Sequence, residues 1–245
     1  MRALLLAGGI GSRLRPLTET TPKCLVQVGG RPVLERWFDL LFQAGVERTL
    51  VNTYHLPDAV RAHVAGSRWA DRIDLVHETE LLGTGGTVLA NRGYFGAEPF
   101  LVIHADNVSD CDIAGLVAAH ERRAPGCCMT MLAFRTDRPE TCGILETDAR
   151  GVLTGFHEKV ADPPGDLANA AVYVFAPDVV AAIAAFGRPV VDVSTEVIPR
   201  LVGRIQVVRH DGYHRDIGSP ESLAQARLDA AQGRIGALAQ PGTDC

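Results

Sequence analysis

The plainest chemistry in the chain sits near its start, in Leu5-Leu-Ala-Gly8-Gly9-Ile-Gly11-Ser12-Arg13-Leu-Arg-Pro16, which continues to Pro22-Lys23. An apolar run, residues 3–7, enters a loop with three glycines. Glycine lets a backbone turn its N–H groups toward a phosphate chain. Arg13 and Lys23 bring positive charge to the same loop. A guanidinium fork grips phosphate oxygens in pairs, whereas an ammonium acts as a point charge. Two familiar phosphate loops do not fit. A Walker A loop needs Gly-Lys-Ser/Thr after its glycines, and none occurs here. A dinucleotide fingerprint needs a small residue three positions after Gly11, where Leu14 stands.

Positioning such a loop requires a rigid frame, and the hydrophobic pattern supplies one. Strand-length apolar runs at 3–7, 49–52, 73–77, 100–104 and 128–134 alternate with helical patterns at 32–44, 58–65, 85–93 and 113–122. In the 32–44 segment Leu34, Trp37, Phe38, Leu41 and Phe42 share one face. Strands alternating with helices predict an α/β fold, a Rossmann-like and mainly parallel sheet with helices on both faces. Ligands of such sheets bind beyond the carboxyl ends of the strands. Residues 8–13, residues 78–86 and Asp106 are therefore the candidate ligand-facing segments. The second half reads differently: short strands at 143–146, 151–157 and 170–175, helices at 178–186 and 195–201, a strand at 207–210 and a closing helix at 220–231.

With 245 residues, 47% hydrophobic and 22% charged, the chain can bury a core without disulfide or metal staples. A net charge of −5 argues against broad nucleic-acid binding, which needs a basic face. The six cysteines form no C-x-x-C pair and read as free, buried thiols of a reducing compartment. No apolar run reaches the ~18 residues of a membrane span, and the N-terminus lacks a signal-peptide pattern, so a cytoplasmic location is expected.

Residues 5–35 resemble the signature of the sugar-1-phosphate nucleotidylyltransferases, the nucleotide-sugar pyrophosphorylases. Further segments resemble blocks of that family in the same order: Glu78-Thr-Glu-Leu-Leu-Gly83-Thr84-Gly-Gly, His104-Ala-Asp106, Glu158-Lys159, Asn169-Ala-Ala-Val-Tyr and Tyr213-His-Arg-Asp216-Ile-Gly-Ser-Pro-Glu. The resemblance implies attack of a sugar 1-phosphate on the α-phosphorus of a nucleoside triphosphate, giving a nucleotide-sugar and pyrophosphate. It implies that Arg13 holds the β- and γ-phosphates, Lys23 the α-phosphate and Lys159 the sugar phosphate, with Asp106 and Asp216 binding Mg²⁺. Nucleotide contacts fall on Leu6, Ala7, Gly8, Gly9, Gly11, Ser12, Glu78, Gly83 and Thr84, and sugar-phosphate contacts on Gly143, Glu158, Lys159 and Asn169.

Ala105, Ala171 and Val160 depart from the family pattern of glycine, glycine and proline. A carboxylate such as Glu78 can accept the two adjacent donors of guanine, which favours GTP, and the short-chain relatives then suggest mannose 1-phosphate or D-glycero-α-D-manno-heptose 1-phosphate. Another base with a hexose 1-phosphate, or a non-catalytic nucleotide-sugar-binding subunit, remain the alternatives. His104 at its strand end reads equally as a substrate contact or as packing. One catalytic domain is expected over residues 1–231, nucleotide-binding to about 135 and sugar-phosphate-binding beyond. Residues 232–245 would form a short tail with no β-helix. The apolar content leaves room for a homodimer.

Overall fold

The computed structural model describes residues 1–236. The strands are β1 (Arg2–Leu6), β2 (Gln27–Val28), β3 (Arg31–Pro32), β4 (Arg48–Thr53), β5 (Ile73–His77), β6 (Phe100–His104) and β7 (Asn107–Ser109), then β8 (Met129–Arg135), β9 (Gly143–Thr147), β10 (Leu153–Glu158), β11 (Leu167–Phe175), β12 (Ile205–His210) and β13 (His214–Asp216). The helices are α1 (Val33–Gln43), α2 (Pro57–Ala65), α3 (Gly83–Ala90), α4 (Arg92–Phe95), α5 (Ile113–Glu121), α6 (Pro177–Ala184), α7 (Ile198–Arg200) and α8 (Pro220–Ala231).

One sheet runs β10-β9-β11-β6-β1-β4-β5, and β8 joins β11 and carries β12. Strands β6, β1, β4 and β5 are all parallel. Antiparallel pairing begins at β11, which runs against β6, β8 and β9. Strand β1 is central because both faces of its apolar run are buried. Ala3 and Leu5 pack on one face with Trp37, Phe38 and Leu41 of α1 and Leu223 of α8. Leu4 packs on the other with Val88 of α3, Val179 and Ile183 of α6, and Val193. The period of two thus divides the core into two layers.

Most anticipated elements are present, with their ends shifted by a few residues. The helix expected at 85–93 divides at Asn91, whose side-chain amide donates to the Thr87 carbonyl at 2.8 Å. The one expected at 195–201 becomes a π-helical turn, Val193–Val197, followed by α7. Pro199 lies in α7's first turn and has no N–H to donate there. Strands β2, β3, β7 and β13 were not anticipated; each has two or three residues, too few to show a period. Cys24, Cys111, Cys127 and Cys128 are free and buried and Cys142 is free and half-buried, while Cys245 and the tail beyond 236 lie outside the described residues. No helix among the described residues is long and apolar enough to cross a membrane.

His120 of α5 is buried, with Nδ1 2.8 Å from the Thr130 hydroxyl. Burial, aided by Arg123, lowers its pKa to about 4. The unfolded chain titrates near the ordinary histidine value of about 6.5. As pH falls below that value the unfolded state gains the proton first, so stability declines until the folded pKa is reached. The loss is at most ~1.4 kcal/mol per pH unit. Urea unfolding at pH 7 and pH 5 should show this drop, and His120→Gln should diminish it; an undiminished drop would assign the effect elsewhere.

Candidate functional site

Asp106 and Asp216, 110 positions apart in sequence, meet through a ribbon of two three-residue strands. Strand β13 lies antiparallel to β7, with Asp216 opposite Asn107 and Arg215 opposite Val108. The Ile217 N–H donates to the Asp106 carbonyl at 3.3 Å. The juxtaposition of Asp106 and Asp216 is therefore made outside the main sheet, because neither β7 nor β13 pairs with a main-sheet strand. Lys23 completes the cluster: its Nζ donates to Asp106 Oδ2 and, at 3.2 Å, to Asp216 Oδ1. Burial would lower the Lys23 pKa, but the two carboxylates outweigh it and the net direction is up. Asp106 moves the opposite way. Desolvation would raise its pKa, yet Lys23 and, after it, His104 hold it below the usual carboxylate value. The donors around this point are hard carboxylate oxygens, which suit Mg²⁺. Among the described residues no group of three or more His, Cys, Asp and Glu gathers for a metal, so these two carboxylates make only part of a coordination shell.

The glycine loop turns over this cluster. Gly11 has φ +65°, and a Cβ there would fall 2.8 Å from Thr18 Cγ2. Thr18 also ties the turn by donating its hydroxyl to the Gly11 carbonyl at 2.8 Å. A Cβ on Gly8 would meet Asn52 Nδ2 at 2.9 Å, whereas Gly9 faces open space. The Ala7 N–H donates to Asn52 Oδ1 at 2.8 Å. Leu6 ends β1 and Ser12 opens a short 3-10 turn that carries Arg13. The Arg13 guanidinium rests on Gly218, where a Cβ would be only 2.6 Å from Nη2. Arg13, Asp216 and Lys159 line one cavity of about 280 Å³, joined by Arg135, Arg138 and Arg215. His214 is also in its wall, and burial, together with nearby His210, lowers its pKa to about 3.

Residues 78–86 are more occupied than their sequence suggests. Glu78 is buried and its Oε1 accepts from the Thr87 hydroxyl at 2.6 Å. Glu80 is exposed. Gly83 has φ +72°, and a Cβ there would lie 2.6 Å from the Val191 carbonyl. That carbonyl accepts from the N–H groups of Gly85 and Gly86 at 2.8 and 3.0 Å. Thr84 donates its hydroxyl to Asp192 Oδ2 at 3.1 Å and accepts from the Val193 N–H at 2.7 Å. These glycines thus admit segment 189–193, a contributor that the sequence reading missed. Its one local signal is Asp192 three residues before Thr195, whose N–H it caps at 2.9 Å.

Around β9 and β10, a Cβ on Gly143 would collide with the Phe156 ring and, at 2.6 Å, with Glu158 Oε2. Glu158 Oε1 lies 3.2 Å from Lys159 Nζ. Asn169 donates to the Tyr173 hydroxyl at 2.8 Å and accepts from the Ala171 N–H at 2.9 Å. Ala171 has φ +53°, at the irregularity where β11 shifts register between Asn169 and Tyr173. A left-handed conformation favours glycine, which explains why the alanine here stands out. The His104 ring packs edge-on against Tyr173 at 6.4 Å, and its Nε2 is buried without a hydrogen-bond partner.

The chain is similar to several known proteins. A mannose-1-phosphate guanylyltransferase of Mycobacterium tuberculosis is 33% identical over 94% of this chain, which spans 65% of that protein's length. A glucose-1-phosphate thymidylyltransferase of Streptomyces griseus is 30% identical over 100% of the chain and 71% of its own length. The crystal structure of HddC from Yersinia pseudotuberculosis shares the fold, with a TM-score of 0.79 at 23% identity over 93% of this chain and 98% of its own. The model of the family described as Nucleotidyl transferase matches residues 2–233, from β1 through the glycine loop and both aspartates to the end of α8. With that span matched and those residues gathered at one sheet end, the chain belongs to the nucleotidyl transferase family.

Proposed function

We propose that the chain transfers a nucleotidyl group from a nucleoside triphosphate to a sugar 1-phosphate, releasing pyrophosphate. The observation that carries this reading is the meeting of Lys23, Asp106 and Asp216, with Arg13 and Lys159 in the wall of the cavity that Asp216 also lines. The nucleophile of this reaction is a phosphate oxygen. The second ionisation of a phosphate ester lies near pH 6, so it is anionic at neutral pH and needs no general base. The task is to bring anions together and stabilise the charge that leaves. In this reading Arg13 holds the β- and γ-phosphates, Lys23 faces the α-phosphate and Lys159 receives the sugar phosphate. Asp106 and Asp216 would hold Mg²⁺, which would neutralise charge on the transferring group. Glu158 and Asn169 contact sugar hydroxyls.

The proposed nucleotide is GTP and the proposed sugar is manno-configured, mannose 1-phosphate or D-glycero-α-D-manno-heptose 1-phosphate. Glu78 supports guanine, since a carboxylate accepts two adjacent donors and Thr87 holds this one in place. The test is pyrophosphate release with Mg²⁺ across a matrix of triphosphates and sugar 1-phosphates. GTP is expected to give the highest kcat/KM. Preference for UTP or ATP by more than about tenfold would overturn the guanine assignment. No release from folded protein with any pair would overturn the enzyme reading.

A further inference from the structure

The cavity beside Asp216 is rich in cations, two of which are already paired, Arg135 with Asp166 and Lys159 with Glu158. Arg13, Arg135, Arg138, Lys159 and Arg215 line it, against the carboxylates of Asp137 and Asp216. Elsewhere in the protein arginines close onto carboxylates at hydrogen-bond length, as Arg48 does on Asp74 at 2.9 and 2.6 Å. Arg138 and Arg215 do not. Arg138 reaches Glu140 only at 3.7 Å, and Arg215 reaches Asp229 at 3.6 Å and Asp137 at 3.9 Å. These distances exceed a hydrogen bond. The Arg215 Nε is buried without a hydrogen-bond partner.

Arg215 is nevertheless held in place, and so is the backbone that carries Arg138. Arg215 sits on β13 and leans on Asp229, which is itself fixed by Tyr213, Gln225 and Arg234 at 3.0, 2.9 and 3.2 Å. Arg138 begins a tied turn, in which its carbonyl accepts from the Thr141 hydroxyl at 2.8 Å. Two guanidinium forks that share a cavity with Arg13 match an anion with several oxygens on adjacent phosphorus atoms.

We propose that Arg138 and Arg215 bind the inorganic pyrophosphate that leaves in nucleotidyl transfer, a role that rests on the reading given above. In the forward direction the bond from the α-phosphorus to its bridging oxygen breaks, and the electron pair departs with pyrophosphate. In the reverse direction a pyrophosphate oxygen attacks the α-phosphorus of the nucleotide-sugar and sugar 1-phosphate leaves. No proton or redox partner is needed. The two arginines meet the departing anion, while Lys23 stays at the α-phosphate.

Two measurements on the full chain test this. Calorimetric titration with inorganic pyrophosphate alone should show binding to the unaltered protein, weakened about tenfold by Arg138→Gln or by Arg215→Gln. The Arg138 side chain is 55% exposed, so its variant folds even if loss of Arg215 disturbs Asp229. In reverse-direction kinetics the KM for pyrophosphate should rise by a similar factor, with the KM for nucleotide-sugar unchanged. Absence of pyrophosphate binding, or equal affinity in Arg138→Gln, would overturn the proposal. So would an effect confined to the KM for sugar 1-phosphate, which would give the pocket to a second anionic group on the sugar. Pyrophosphate binding that is lost in the variants, from a protein that transfers no nucleotide, would sustain the pocket and overturn the catalytic reading instead.

Discussion

Asp106→Asn and Asp216→Asn are expected to reduce turnover below detection while the protein stays folded. Asparagine keeps the shape of each side chain and loses only its charge. A divalent ion shared by the two carboxylates contributes several kcal/mol to charge stabilisation, and each 1.4 kcal/mol is about tenfold in rate. The loss should therefore reach at least about a thousandfold in kcat. Both residues touch Lys23, so circular dichroism and thermal melting must accompany the kinetics. Near-normal rates in either variant would remove that residue from the proposed metal site. The two need not be equal. Asp106 is the more sheltered, with its side chain 33% exposed against 55% for Asp216, and its pKa is depressed despite desolvation.

Lys23→Ala is expected to lower kcat by roughly a hundred- to a thousandfold, the range found when a preorganised electrostatic donor is removed. A second consequence separates this from simple damage to the fold. Lys23 is the cation between two carboxylates, and its side chain is only 9% exposed. Without it, Asp106 and Asp216 lose the one cation that hydrogen-bonds both of them. The melting temperature of Lys23→Ala should therefore rise more on adding Mg²⁺ than that of the unaltered protein. Equal shifts in both would show that the ion does not enter between these carboxylates. Lys23→Arg should not restore the rate, because a planar fork does not fit a buried seat that an ammonium point charge fills.

Much of this arrangement is legible in the residues, and the unreadable parts have physical causes. The apolar run of β1 and the glycines after it announce a strand and a tight loop, because each depends on local constraints alone. The β7–β13 ribbon is hidden, since three residues per strand carry no period and the partners are far apart in sequence. The glycines of α3 announce a close approach but not what approaches. They read as a ligand loop, whereas Val191 fills the space. Ala171 hides its left-handed backbone entirely, since nothing in an alanine signals positive φ. Arg215 stands beside Asp216 as a residue that could contact phosphate, whereas nothing local singles out Arg138 until the fold sets both in one wall.

Strand β11 has a mechanical consequence. It hydrogen-bonds β6 through residues 172–175, β8 through residues on both sides of its register shift, and β9 through Ala168. Its residues Ala168, Ala170, Val172, Tyr173, Val174 and Phe175 are fully buried. The strands of the glycine-loop side and those of the Glu158 side are thus stitched to one shared rod. A clamshell opening between them would have to tear this ladder at about 0.5–1.5 kcal/mol net per hydrogen bond and strip the buried side chains as well. The frame is stiff along that line, so adjustment to an arriving or departing ligand falls to the rim: the turn at 136–142, the glycine loop and the short ribbon that carries Asp216.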